Sequence, residues 1–263
     1  GISNTSSGYL SMANNSSGDY NTAQGYQALY NNFAGINNTA IGAQSMTNFT
    51  GDNNTALGFG SMSNNASGNF NTAVGYQATI GGSLTNATVV GANATVDASN
   101  KVRIGNAAVT VIEGQVPFTT PSDGRFKYHV QEDVKGLDFI LHLRPVTYQF
   151  DVKRFDTQWN HEAGKGANTN NYTVQVAYDE ASRIRRSGFI AQEVEQAALK
   201  SNYDFSGLIK PKTEQEHYSL SYDAFVVPLV KAIQEQQKII DAQNNKIQSL
   251  QQQIDEIKKL IQH

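Results

Sequence analysis

The side chains able to do chemistry in this 263-residue sequence are few and widely spaced. Its histidines stand at 129, 142, 161, 217 and 263. No two of them are four apart beside a carboxylate, the spacing that puts two imidazoles on one helix face around zinc. There is no cysteine, which removes disulfides, thiolate metal sites and nucleophilic thiols together. No metal and no cofactor is therefore expected. Glu193 and Glu195 are two apart in a stretch that reads as a helix, so their carboxylates leave different faces and do not form a hydrolytic pair. They are expected to face solvent or another subunit. Ser122 and Lys127 bracket Asp123-Gly124, which by itself reads as a tight turn into a strand, with Ser122 capping it and Lys127 solvated.

Two halves of different composition must position these residues. Only 16% of the chain is charged, the net charge is −3, and Gly, Asn, Ser and Thr dominate the first hundred positions. A basic footprint able to neutralise phosphates is missing, so nucleic acid is not an expected partner. No run approaches the roughly 18 apolar residues of a membrane span. Gly1 opens in the middle of a repeat, not on a charged-then-apolar leader, so the chain reads as a fragment of something longer. The lack of cysteine suits an exported protein.

The repeat is visible on self-alignment. Gly1-Ile-Ser-Asn-Thr-Ser, Gly18-Asp-Tyr-Asn-Thr-Ala, Gly35-Ile-Asn-Asn-Thr-Ala, Gly51-Asp-Asn-Asn-Thr-Ala and Gly68-Asn-Phe-Asn-Thr-Ala follow one another at intervals of 16 or 17 residues. A fixed period of this kind means a solenoid-like array. Second glycines at 25, 42, 58 and 75 divide each unit into two strand-sized pieces. Thr22-Ala23, Thr39-Ala40, Thr55-Ala56 and Thr72-Ala73 can stack in register, and Tyr26, Ile41, Leu57 and Val74 fall at comparable places. Small inward residues allow a thin coil. Such a coil buries little apolar surface, so lateral association with identical neighbours is expected.

These Asn-Thr-Ala-x-Gly units resemble the head repeats of YadA-type trimeric adhesins over roughly residues 1–95. The resemblance implies a left-handed parallel β-roll, three of which pack around an axis. The Asn-x-Ser/Thr triplets, such as Asn4-Thr5-Ser6 and Asn48-Phe49-Thr50, then read as ladder and turn residues and not as glycan acceptors. From Thr85 the period loosens, although Asn86–Gly91 and Lys101–Gly105 still alternate like strands. Val109-Thr110-Val111-Ile112 adds a β-branched stretch before Pro117 and Pro121. Residues 96–121 are read as a β neck.

After Pro121 the composition becomes that of an ordinary globular protein. Ser122-Asp-Gly-Arg-Phe-Lys127, Gly136-Leu-Asp-Phe-Ile-Leu-His-Leu-Arg-Pro-Val-Thr-Tyr148, Gly188-Phe-Ile-Ala-Gln-Glu-Val-Glu195 and Tyr222-Asp-Ala-Phe-Val-Val-Pro-Leu-Val-Lys-Ala-Ile-Gln-Glu235 follow in order. All four resemble the intramolecular chaperone domain of endosialidases and other phage tail fibres, which folds three chains together. Many such domains then cut themselves free, with a serine attacking the bond before it and a lysine five residues on acting as base. The resemblance places those roles on Ser122 and Lys127 and the cut between Pro121 and Ser122. A serine hydroxyl needs a neighbouring base, and a lysine serves only when burial or nearby cations lower its pKa. Trp159 and Gly164–Asn171 read as an insertion between strands Val146–Phe150 and Tyr172–Tyr178.

From Val226 the apolar spacing is sevenfold. Val226, Ile233, Ile240, Ile247, Ile254 and Ile261 occupy one heptad position, and Leu229, Gln236, Gln243, Leu250 and Ile257 the other. Isoleucine with leucine leans to two strands, while isoleucine at both positions in the Ile254 and Ile257 layers favours more. The seam leaves two and three strands open; the two resemblances select three. The expected fold is mainly β with C-terminal α: a head at 1–95, the neck, a β/α chaperone domain at 122–225 and a coiled coil at 226–263, assembled as a homotrimer. Two functions follow. One is an extracellular adhesin or tail-fibre tip, on a bacterial surface or a phage-like fibre, that meets a cell-surface receptor or glycan. The other is a self-cleaving Ser-Lys peptidase that releases the mature fibre. A membrane-tethered transcription factor is disfavoured, because the sequence contains no DNA-binding or membrane segment.

Overall fold

The computed structural model describes residues 1–63, 67–159, 172–214 and 216–261. The stretch read as an insertion at Gly164–Asn171 lies outside them. Nine short strands come first: β1 (Thr5–Ser7), β2 (Thr22–Gln24), β3 (Thr39–Ile41), β4 (Thr55–Leu57), β5 (Thr72–Val74), β6 (Thr79–Ile80), β7 (Thr88–Val90), β8 (Thr95–Val96) and β9 (Val102–Ile104). Seven of them form one all-parallel sheet in the order β1-β2-β3-β4-β5-β7-β9, and β6 pairs β8 in a second. Thr22 lies opposite Thr39, and Ala23 opposite Ala40, in the in-register stacking that a 16- or 17-residue coil requires. This is a β-solenoid. Its last coil, at β9, falls within the stretch read as neck, while Val109–Ile112 forms no strand and lies exposed.

Each main-sheet strand stops at a glycine because the chain must turn where two coils nearly touch. Gly25 has φ +131, and a Cβ there would sit 2.7 Å from the Gly42 carbonyl carbon. Other corners use non-glycine residues in the left-handed region, including Tyr20, Asn37, Asn53 and Phe70 in one row and Leu29, Met46 and Met62 in another. Those corners explain a departure from the expected pair of strands per unit. The second piece is regular only at β6 and β8, and in earlier coils it is a run of turns.

Inside the coil, Ala23, Ala40, Ala56 and Ala73 form a buried row, joined by Leu29, Met46, Phe49 and Met62. The asparagine of each Asn-Thr-Ala unit is also inside. Asn38 Nδ2 donates to the Gly51 carbonyl at 2.7 Å, and its Oδ1 accepts from the Asn54 backbone N–H at 3.0 Å. Asn21, Asn54 and Asn71 repeat the pattern, so each side chain satisfies backbone groups of the next coil that water cannot reach. Tyr26 does not share a row with Ile41, Leu57 and Val74. It stands two residues beyond its strand and stacks on Tyr9 at 5.9 Å, as Phe59 stacks on Tyr76 at 5.5 Å.

After a single 3-10 turn at Gly124–Phe126 come α1 (Leu137–Leu141), β10 (Val146–Gln149), α2 (Val152–Trp159), α3 (Tyr172–Arg183), β11 (Arg185–Gly188), α4 (Ala191–Lys200), β12 (Leu208–Ile209), β13 (Ser219–Leu220) and the 36-residue α5 (Val226–Ile261). β10 pairs with β11, and β12 pairs antiparallel with β13. The chain divides into two compact units. One comprises Gly1–Gln115, Gln149–Arg186 and Thr213–Glu216; the other comprises Val116–Tyr148, Ser187–Lys212 and His217–His263.

In the first unit, residues 172–178 are helical, which corrects the strand expected there. Tyr178 and Ala181, three apart, instead turn one helical face onto Val152 of α2. In the second unit, Phe139 of α1 is the centre of an aromatic core. Its ring lies 5.0 Å from Phe205, 5.2 Å from Tyr203 and 6.3 Å from Phe225, and Val194, Ala197 and Ala198 of α4 close the other side. Burying such a ring contributes roughly 1.5–3 kcal/mol.

Candidate functional site

The backbone around Ser122 is wound by its own short-range bonds. The Asp123 carboxylate accepts the Arg125 backbone N–H at 2.9 Å, Phe126 N–H donates to the Asp123 carbonyl at 3.1 Å, and Lys127 N–H donates to the Gly124 carbonyl at 3.1 Å. Asp123 is thus the cap, where Ser122 had been read as capping, because its carboxylate reaches two residues forward to an orphan amide. The turn carries Lys127 back over Ser122, and Nζ donates to Ser122 Oγ at 2.7 Å. Lys127 is exposed, as the turn reading expects, while making that bond.

Arg125 completes the local electrostatics. Its guanidinium forks onto Asp123 through Nε at 2.9 Å and Nη2 at 2.5 Å, and those bonds hold the Asp123 carboxyl below its ordinary range and push Arg125 above its own. With its carboxylate engaged by Arg125, Asp123 is not the partner of the Lys127 ammonium; the serine hydroxyl is. A lysine within hydrogen-bond reach of a serine is the geometry of a base and its nucleophile. The segment around the pair is exposed, with Phe118, Phe126 and Tyr128 91%, 79% and 83% accessible.

Farther along the chain, α1 is tied to the start of the long helix. Leu137 N–H donates to Glu235 Oε2 at 2.8 Å, so a carboxylate from α5 caps α1. Gly136 is required by the approach: a Cβ there would lie 2.5 Å from that oxygen and 2.7 Å from the Ala232 nitrogen. Glu193 pairs with Arg144, and Glu195 with Lys210 and the Tyr218 hydroxyl, so both carboxylates serve ion pairs within the chain. Lys210, and then Tyr218, hold the Glu195 carboxyl below its ordinary range. Pattern reading missed Glu235 and Arg144, whose partners lie 98 and 49 residues away.

Along α5 the heptad residues Ile233, Ile240, Ile247, Leu250, Ile254, Ile257 and Ile261 all lie exposed on one chain. Pro228 sits in the first turn, where its missing donor costs nothing. Among the described residues, no helix is long and apolar enough to cross a membrane.

Residues 122–202 match a family model described as chaperone of endosialidase. The match contains Ser122, Lys127, α1 and α4. No curated protein matches the chain, and no solved structure does.

Proposed function

We propose that this chain is one third of a homotrimeric extracellular fibre, with the solenoid as its adhesive head and the C-terminal portion as the chaperone that folds three chains together. The observation that carries this reading is the chaperone-of-endosialidase match at 122–202, which leads through the Tyr222–Glu235 phrase into α5 and its exposed isoleucine stripe. Apolar surface in water costs about 25 cal/mol per Å², and a heptad stripe is relieved by winding around copies of itself into a three-stranded coiled coil. The head resembles YadA-type repeats, which supports three strands over two. Its outward rings, Tyr9 on Tyr26 and Phe59 on Tyr76, supply the surface for a cell-surface receptor or glycan on a bacterial or phage-like fibre. Native mass spectrometry should return three times 28.6 kDa. A stable monomer at micromolar concentration overturns the trimer.

The 2.7 Å contact between Lys127 Nζ and Ser122 Oγ favours a second activity, self-processing. Ser122 Oγ attacks the Pro121 carbonyl carbon while Lys127 takes the hydroxyl proton. The Pro121–Ser122 C–N bond breaks, and the proton passes to the departing Ser122 nitrogen. The resulting ester between Pro121 and Ser122 Oγ is hydrolysed by water, leaving a Pro121 carboxylate and a new N-terminus at Ser122. A lysine serves as base only where packing keeps water from its ammonium. The exposed segment gains that packing from neighbouring chains, so cutting follows assembly. Pro121 restrains its own carbonyl, which makes cleavage slow. On prolonged incubation the wild type should yield a fragment beginning at Ser122, while Ser122→Ala and Lys127→Ala remain full length and trimeric. A wild type that never yields that fragment removes self-processing and leaves the fibre reading intact.

A further inference from the structure

We infer that the α2–α3 pair is a docking surface for the end of the solenoid, so that a break between Pro121 and Ser122 nicks the chain without separating its fragments. The self-processing reading enters only as the origin of the break.

Val152, Tyr178 and Ala181 form a buried cluster against which Ala107, Ala108 and Phe150 pack. Four of these lie after the break, and the two alanines before it. Ala107 and Ala108 belong to the solenoid by their bonds as well as by sequence. Asn106 Nδ2 donates to the Ala92 carbonyl at 2.9 Å, in the coil before β9, and Asn106 Oδ1 accepts the Ala108 N–H at 2.9 Å. The turn presented to the helices is therefore held by the preceding coil.

The helical side is built as an apolar face with its polar groups closed off. The Tyr178 hydroxyl donates to Asp156 Oδ2 at 2.6 Å, and Val152 N–H donates to Ser182 Oγ at 3.2 Å. Methyl-sized residues on the solenoid side let the helices come close. The covalent connection contributes nothing comparable, since every residue from Val109 to Asp133 is exposed. Cutting at Ser122 breaks an exposed tether and leaves the buried contact whole.

The test uses the full chain with Ser122→Ala, so that self-processing is silent, and a site-specific protease sequence inserted in the exposed stretch between Gln115 and Pro121. After complete cutting, verified on a denaturing gel, the two fragments should co-elute on gel filtration. Ala108→Arg on the solenoid side and Tyr178→Ala on the helical side should each speed separation by about tenfold or more. Tyr178→Ala leaves every coil unaltered, so it decides the matter if Ala108→Arg disturbs the solenoid. Immediate separation of the cut parent overturns the inference, and so does equal retention in the parent and Tyr178→Ala. Appearance of the Ser122 fragment from the unmodified chain is read separately, so either reading can fail without the other.

Discussion

Asn38 and Ile247 mark two different ways in which this chain meets its physical requirements. Asn38 is buried and bonded at both ends of its amide to the next coil, and the same is true coil after coil. Ile247 is 63% exposed on a helix whose other heptad isoleucines are exposed as well. The Asn-Thr-Ala ladder of the solenoid closes its hydrogen bonds within one chain, whereas α5 leaves its apolar surface open. A narrow coil has little room for apolar volume and relies on polar ladders, while a lone amphipathic helix has nowhere to put its stripe. The heptad stripe is the apolar surface that α5 leaves open, and on the proposed reading it is where copies of the chain meet.

The largest effect should come from breaking the open side of that contrast. Ile247→Asp with Ile254→Asp would place charge in the proposed seam, and trimer mass should be lost entirely in native mass spectrometry. An unaltered trimer would show that α5 is dispensable. Within the compact part of the same unit, Phe139→Ala should cost about 3–5 kcal/mol in denaturant unfolding, because three surrounding rings lose their common neighbour. On the solenoid side, Asn38→Ala would leave the Gly51 carbonyl and the Asn54 N–H buried without partners, at a cost of about 2–4 kcal/mol. A loss below about 0.5 kcal/mol would mean that the ladder is not what holds successive coils.

The smallest expected effect is on pH dependence. Glu195 is held below its ordinary value of 4.5 by Lys210 and Tyr218, so its folded pKa lies under its unfolded one. Its contribution is present above the unfolded value and fades as pH falls through the folded one. Glu195→Gln should therefore lower the thermal midpoint slightly at pH 7, and the gap to wild type should close below about pH 4.5. A gap that stayed constant down to pH 3 would assign the loss to geometry and not to charge.

Much of the architecture was legible because it repeats locally. The interval between Gly18, Gly35, Gly51 and Gly68 set the coil length, and Thr-Ala at a constant offset set the register, since identical residues stack wherever coils have equal length. The sevenfold isoleucines likewise marked one face of one helix, and Asp123-Gly124 marked a turn. In each case the governing contacts lie within a few residues or recur at a fixed period. Residues 172–178, read as a strand, misled for the complementary reason: only the partner face around Val152 made the helix the better solution.

The amino-acid sequence by itself determined the repeat, the helix with its stripe, and the short spacing that makes a Ser122–Lys127 meeting possible. Tertiary structure decided that the Asn-Thr-Ala asparagines point inward as a ladder and that Glu235 closes the start of α1. It also decided that α2 and α3 pack on Ala107 and Ala108. Those outcomes depend on which distant groups share a dry space. Burial and hydrogen-bond satisfaction are properties of the folded neighbourhood, and no local period encodes them.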